Sequence, residues 1–152
     1  MFQQKDNVSD NSICNAKAIN HVCLAVKNIE ASIALYSKMF GVATPKIQIM
    51  LDQKVKAAMV NVGNTNLEFI EPIDGEGGVA KFINNKGEGI HHICFEVENI
   101  ESSIEQLKKA KVKLIDSQPR QGLDGMIAFI HPKATGNVLI ELVETPSSDI
   151  KG

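Results

Sequence analysis

Two histidines and two glutamates occupy matching places in two copies of one sequence motif. Residues 19–33 read INHVCLAVKNIEASI and residues 90–104 read IHHICFEVENIESSI, with 9 of 15 positions identical. The repeat places His92 71 residues after His21, and Glu141 lies 73 residues after Glu68. Two neutral imidazoles and two carboxylates cancel the charge of a divalent cation and form a nitrogen and oxygen set suited to zinc, cobalt, manganese, nickel or iron. The spacing therefore predicts a metal site shared by two related halves.

The competing interpretation is four unrelated polar residues in strands. A single strand histidine is usually structural, and a single strand glutamate is usually solvated. Two carboxylates turned into a concave sheet without a counter-charge would be costly, and the repeat places all four groups symmetrically. The metal site is therefore the preferred interpretation.

Each copy opens with a strand and continues into a helix. Asn28 and Asn99 are predicted N-caps, because an asparagine side chain accepts from the free amides of a first helical turn. Apolar residues then recur at helical spacing, as Ile29, Ile33, Tyr36 and Phe40 before Gly41, and as Ile100, Ile104 and Leu107.

Three segments with strand character follow each helix. They are residues 46–51, 54–62 and 66–71 in the first copy, and 113–116, 126–131 and 138–144 in the second. The order βαβββ, twice, predicts an α+β fold in which two tandem modules form a curved, mixed, eight-stranded sheet around the metal site, with helices on the outer face. The predicted divisions are an arm (1–17), a single domain (18–145) with modules at about 18–72 and 90–145 joined by a connector (73–89), and a tail (146–152). A short helix is predicted in the connector near 79–85.

The alternation of strand side chains decides which residues face the site. If Val22, Leu24 and Val26 pack under a helix, His21 points to the other face, and the repeat sends His92 there too. The same rule turns Glu68 and Glu141 inward. It places Cys23 and Cys94 as non-catalytic lining, and it sends His91 to the helix side, where packing or a hydrogen bond is expected rather than metal ligation.

Composition excludes several classes of function. The net charge is −2 and no block of Lys or Arg occurs, so neither nucleic acid nor a membrane surface is an expected partner. No stretch approaches the roughly 20 apolar residues of a spanning helix. Three cysteines without C-x-x-C spacing indicate a reducing compartment, and the polar first 17 residues argue against a targeting peptide, so a cytoplasmic location is expected.

The paired repeats and their four candidate ligands resemble the vicinal oxygen chelate superfamily, which includes glyoxalases, extradiol dioxygenases and antibiotic-resistance proteins. Within it the chain is most similar to the methylmalonyl-CoA epimerase family, and the similarity runs from about Ala18 to Glu144. The segments that carry it are 87–97 (GEGIHHICFEV), 114–120 (LIDSQPR) and 129–142 (FIHPKATGNVLIEL).

The resemblance implies epimerisation of (2R)/(2S)-methylmalonyl-CoA by proton abstraction and return through a metal-stabilised enolate. It implies His21, Glu68, His92 and Glu141 as metal ligands, with cobalt favoured and zinc, manganese or nickel as alternatives. Glu141 is the first candidate base, with Glu68 as ligand and possible partner base. An acyl-CoA substrate and a homodimer are implied as well.

Two features extend or depart from the family pattern. Lys133 and Arg120 could meet the substrate carboxylate or the CoA phosphates, or they could be solvated loop charges. Some epimerases carry a second, non-ligand acid on the third strand of the first module, near Ala57 in this chain, and the nearest upstream carboxylate is Asp52. The two ligand glutamates would then share the work, Asp52 or a water would take the second role, or the chain would be an inefficient epimerase.

Two other functions remain open at this stage. A lactoylglutathione lyase (glyoxalase I) reaction can use the same ligands to move a proton between neighbouring carbons. A non-catalytic small-molecule-binding protein of the superfamily would usually lack the metal quartet. An extradiol dioxygenase fits less well, since it needs two histidines and one carboxylate around iron.

Overall fold

One sheet carries both copies of the motif. The computed structural model describes residues 11–147, and within them eight strands and three helices are found. The strands are β1 Ala16–Ala25, β2 Gln48–Met50, β3 Val55–Val62, β4 Thr65–Pro72, β5 Gly89–Val97, β6 Arg120–Gln121, β7 Met126–Ile130 and β8 Ile140–Glu144. The helices are α1 Ile29–Phe40, α2 Gly78–Lys86 and α3 Ile100–Lys109.

The strand order confirms the predicted fold class. The sheet runs β2-β3-β4-β1-β5-β8-β7-β6, so the first strand of each copy lies at the centre. β1 and β5 pair antiparallel with each other, and each pairs parallel with the last strand of its own half, β4 or β8. The remaining pairs are antiparallel. The first and last strands of the first half (16–72) therefore lie beside the first and last strands of the second half (89–144) at the centre of the sheet.

The predicted helix starts are confirmed. The Asn28 side chain accepts from the amide of Ala31, and the Asn99 side chain accepts from the amide of Ser102. α1 ends at Gly41, whose positive φ of 69° suits glycine and whose amide donates to the carbonyl of Ser37.

Two helices lie on the outer face as expected, and the connector helix does not. α1 packs against Phe69 and its outward neighbours in the sheet, and α3 packs against a cluster that includes Leu142. α2 instead places Ile83 in a cluster with Cys23 and Ala25, on the inner face of β1. α2 therefore packs on the concave side of the sheet through its buried residues Ala80 and Ile83.

Several boundaries differ from the sequence prediction, and the edge strand β6 (Arg120–Gln121) is not among the predicted strands. Segment 113–116 forms only an isolated bridge between Leu114 and Ile130, because the Asp116 carboxylate accepts the Phe129 amide at 2.8 Å where a strand would offer a carbonyl. β1 begins at Ala16, inside the predicted arm. Residues 1–10 and 148–152, which make up most of the arm and tail, lie outside the described residues, and the domain division stays a prediction.

Within residues 11–147, no helix combines the length and the apolar character needed to cross a membrane.

Candidate metal centre

The four predicted ligands meet on the concave face of the sheet. His21 comes from β1, Glu68 from β4, His92 from β5 and Glu141 from β8, which are the four central strands. All four residues are buried, with exposed fractions between 2% and 8%. The alternation of strand side chains and the pairing of β1 with β5 therefore place all four on one side of the sheet.

The distances among the four side chains suit a single ion. The two histidine Nε2 atoms lie 3.2 Å apart, and His92 Nε2 lies 2.6 Å from Oε2 of Glu141. His21 Nε2 lies 3.7 Å from Glu141 Oε2 and 3.8 Å from Glu68 Oε1, and His92 Nε2 lies 3.9 Å from Glu68 Oε1. Ligands about 2.1 Å from a tetrahedral ion stand roughly 3.4 Å apart, so the residues present fit a divalent cation without rearrangement of the backbone.

Each site histidine is held through its second nitrogen. His21 Nδ1 lies 2.7 Å from Oδ1 of Asn20, to which it donates, leaving the Nε2 lone pair free for the site. His92 Nδ1 lies 2.8 Å from Nδ1 of His91. Such partners fix the tautomer and the orientation of a metal-binding imidazole.

Both holding residues occupy breaks in the pairing of β1 with β5. The register passes from Ile19 to His21 on β1 and from His92 to Ile90 on β5, so Asn20 and His91 are bulged residues. A bulge turns a side chain away from the face that strict alternation assigns to it. The prediction that His91 points to the helix side is wrong for this reason, since its ring lies beside His92 and Phe82 of α2.

The two carboxylates differ in electrostatics. Burial opposes ionisation of Glu141, but interactions with His21 and His92 outweigh burial and lower its pKa to about 2. Burial raises the pKa of Glu68, which lies farther from both imidazoles. Burial would lower the pKa of His21, but the two carboxylates outweigh it and leave that pKa raised. Glu141 is therefore the more readily ionised carboxylate.

Two thiols lie under the carboxylates. Cys23 and Cys94 are fully buried, and each interacts through its thiol with the glutamate of its own half, Glu68 or Glu141. Burial raises the pKa of both thiols. A fully buried, protonated thiol is a poor nucleophile, which agrees with their predicted lining role.

A cavity of about 60 Å³ opens on the site. Its wall includes Ala57, near which the family resemblance predicts a second acid, and Gln53, which sequence reasoning missed because it lies in a turn. Asp52 is exposed and is not part of that wall. Besides the candidate ligands Glu68, His92 and Glu141, the other wall residues are Met50, Val55, Ile70, His91, Leu123, Ile127 and Phe129.

The structure does not bring the two predicted substrate-binding cations into this cavity. The Arg120 guanidinium lies 5.5 Å from the centre of the Phe129 ring and pairs with Asp116. Lys133 is exposed in a single 3-10 turn, Pro132–Ala134, where its amide donates to His131. Their contact with a substrate stays a prediction.

Comparison with known proteins agrees with this geometry. The sequence profile of the Glyoxalase/Bleomycin resistance protein/Dioxygenase superfamily matches residues 20–129. The mitochondrial methylmalonyl-CoA epimerase of Homo sapiens is 35% identical over 133 residues, which are 86% of this chain and 76% of that protein. The ethylmalonyl-CoA/methylmalonyl-CoA epimerase of Cereibacter sphaeroides is 37% identical over 128 residues, 82% of this chain and 95% of that protein.

Solved structures give the same result. A variant of Streptomyces coelicolor methylmalonyl-CoA epimerase in complex with 2-nitronate-propionyl-CoA superimposes with a TM-score of 0.83 at 27% identity, covering 88% of this chain and 100% of that one. Sequence and fold thus agree, and the chain belongs to the methylmalonyl-CoA epimerase family of isomerases within the glyoxalase/bleomycin resistance/dioxygenase superfamily.

Proposed function

We propose that this chain epimerises (2R)/(2S)-methylmalonyl-CoA with a divalent ion held by His21, Glu68, His92 and Glu141. The observation that carries the proposal is the convergence of these four buried side chains, in which the two imidazole Nε2 atoms lie 3.2 Å apart and each carboxylate lies 2.6 to 3.9 Å from them. Cobalt is the ion we favour by family resemblance, with zinc, manganese and nickel as alternatives. When bound, the ion would supply Lewis-acid stabilisation of the negative charge that develops on the substrate oxygens.

Glu141 is the residue we assign as the first base. Its lowered pKa, about 2, keeps it ionised at neutral pH, so the form that can accept a proton is the populated one. The imidazole of His92 orients it through the 2.6 Å contact of Nε2 with Oε2. The α-carbon between a thioester and a carboxylate is weakly acidic, so a carboxylate held within reach can remove its proton.

Glu68 is the residue we assign to the opposite face. Its raised pKa means that it holds a proton more readily than Glu141 does, which suits a group that returns a proton to the substrate. Ala57 offers no acid on the cavity wall, and Asp52 lies outside that wall. The two ligand glutamates therefore share the proton transfers in this proposal.

Solvent exchange tests the reaction directly. Methylmalonyl-CoA incubated in deuterated water with the cobalt-loaded chain is expected to exchange its α-proton, as followed by proton NMR, and the chelator-treated chain is expected not to. Absence of exchange with cobalt, zinc, manganese and nickel alike would overturn the proposal.

A glyoxalase I type reaction is the second candidate, favoured by one observation. The cavity wall carries alanine at position 57, so both proton transfers would have to come from ligand carboxylates, as in a shuttle between neighbouring carbons. An assay with the hemithioacetal of methylglyoxal and glutathione separates the two reactions. A non-catalytic binding role would require a chain that purifies without metal and gains none, which elemental analysis measures.

A homodimer and a cytoplasmic location complete the proposal by family resemblance. Light scattering of the purified chain tests the first, and fractionation of cells tests the second.

A further inference from the structure

A second group of metal-binding atoms lies beside the first. Cys23 offers a sulfur and His91 and His92 each offer an imidazole nitrogen, and these atoms lie within 4.8 Å of one another. Glu141 and His21 are not members of this group. His92 alone belongs to both groups, so its ring separates two clusters of different chemical character.

Strand pairing builds the second group. Cys23 of β1 is the register partner of His92 of β5, so the two side chains are neighbours across antiparallel strands. The bulge at His91 turns its ring toward the same place, and Nδ1 of His91 lies 2.8 Å from Nδ1 of His92. The three side chains therefore converge because of the sheet register and the bulge, neither of which depends on an ion at the first site.

We propose that Cys23, His91 and Nδ1 of His92 form a binding site for a cuprous ion. Thiolate and imidazole ligands select soft, thiophilic ions, and a set of one sulfur and two nitrogens suits Cu⁺. Binding releases the thiol proton of Cys23 to solvent, and the thiolate and a monovalent cation then sum to zero charge, which a site around a fully buried sulfur requires. A divalent ion on the same three ligands would leave a buried positive charge.

Two of the three proposed ligands face a larger cavity. His91 and His92 line a cavity of about 590 Å³ that also touches Phe82, Ile90 and Val138. An ion would exchange the hydrogen bond between the two Nδ1 atoms for bonds to both nitrogens.

The shared ring makes the two sites mutually exclusive. An ion at the first site needs the lone pair of His92 Nε2 and so a proton on Nδ1. Cu⁺ at the second site needs the lone pair of Nδ1, and Nε2 then keeps its proton and donates to Glu141, 2.6 Å away. One imidazole cannot offer both lone pairs without losing both protons, so cuprous ion is expected to displace the divalent ion.

A titration of the full chain with Cu⁺ under nitrogen tests the proposal. The expected result is a thiolate-to-copper absorption band in the ultraviolet that saturates at one Cu⁺ per chain. In the cobalt-loaded chain, the visible absorption of Co²⁺ is expected to fall in parallel. The Co²⁺ measurement rests on the proposed function, whereas the ultraviolet titration of the metal-free chain does not. Failure of the proposed function can therefore be distinguished from failure of the Cu⁺ site.

Matched variants identify the ligands. Cys23→Ser is expected to lose the band, and Cys14→Ser and Cys94→Ser are expected to keep it, because neither of those thiols belongs to the group. His91→Gln removes an imidazole ligand of the proposed site, so Cu⁺ affinity is expected to fall about 10-fold or more. This variant keeps the test decisive should Cys23→Ser fail to fold.

The proposed Cu⁺ site would be wrong if the ultraviolet band survived in Cys23→Ser or if the parent chain showed no band. Full Co²⁺ absorption in a chain that carries one Cu⁺ would show that both sites can be occupied at once.

Discussion

The two halves present the same ligands in different surroundings. His21 is held by the amide oxygen of Asn20, whereas His92 is held by a second imidazole, His91. In the first half, Ala57 lies across from the residue two positions after the site glutamate, and in the second half Ile127 has that place. The duplication keeps the ligands and the bulges, and the residues around them differ.

As a consequence, the two site carboxylates differ in how readily they ionise. Glu141 lies 2.6 Å from His92 Nε2, and Glu68 comes no closer than 3.8 Å to either imidazole. Burial is similar for both, so proximity to the imidazoles decides which carboxylate stays charged. A symmetric ligand set can therefore support different roles for its two acids.

The largest expected effect comes from removing the ionised carboxylate. Glu141→Gln is expected to lower the α-proton exchange of methylmalonyl-CoA by about 10³-fold, since loss of a positioned base typically costs 10²–10⁴-fold. Glu68→Gln is expected to cost only about 10-fold in exchange, because exchange needs the proton removal assigned to Glu141, not the return on the opposite face assigned to Glu68, and an amide oxygen can still reach an ion. Exchange rates at measured metal content check both, and a larger loss in Glu68→Gln would reverse the proposed roles.

In the metal-free chain, Glu141→Gln and Glu68→Gln should change the free energy of unfolding in opposite directions. The folded-state pKa of Glu141 is lowered, so its charge stabilises the fold above pH 4.5 and this contribution is lost as the pH falls toward 2. At pH 7, Glu141→Gln is expected to lower the free energy of unfolding by on the order of 3 kcal/mol. Chemical denaturation measures the change.

Glu68→Gln is expected to have the opposite sign. The pKa of Glu68 is raised in the fold, so its charge is penalised at neutral pH and the penalty disappears on acidification. The variant should therefore be more stable than the parent chain at pH 7, and this gain should shrink at lower pH. Destabilisation by both variants at pH 7 would contradict the assigned difference.

A smaller effect is expected from substitution of Asn20, whose side chain holds the His21 ring, and it should appear in the affinity for the metal ion. Asn20→Leu removes the acceptor for Nδ1, so the affinity for Co²⁺ is expected to fall by about 10- to 100-fold. Asn20→Asp serves as the matched control, because its carboxylate can still accept that hydrogen bond. Isothermal titration calorimetry measures both variants, and an unchanged affinity in Asn20→Leu would show that the bulged residue does not orient the ligand.

The smallest effect is expected at Asp52. Its side chain is exposed and lies outside the cavity wall, so Asp52→Asn should leave the exchange rate within about 2-fold of the parent chain. A drop as large as that of Glu68→Gln would make Asp52 the missing acid of the first half.

Much of the fold could be predicted because it depends on local patterns. The repeated motif, the Asn28 and Asn99 caps and the apolar stripes fix strand and helix order within each half. The second-half segment 113–116 could not be predicted correctly, because the Asp116 carboxylate accepts the hydrogen bond that the Phe129 amide of β7 would otherwise donate to a strand carbonyl. The inner position of α2 depends on contacts with distant strands.

The sequence alone determined the four candidate ligands, because duplication and the two-residue period of a strand require only the order of residues. Tertiary structure decided what each ligand touches. The bulges at Asn20 and His91 arise from pairing between strands about 70 residues apart, and they shift side chains against the local period. The two carboxylates ionise unequally because Glu141 lies 2.6 Å and Glu68 3.9 Å from His92 Nε2, distances that only the packed sheet sets.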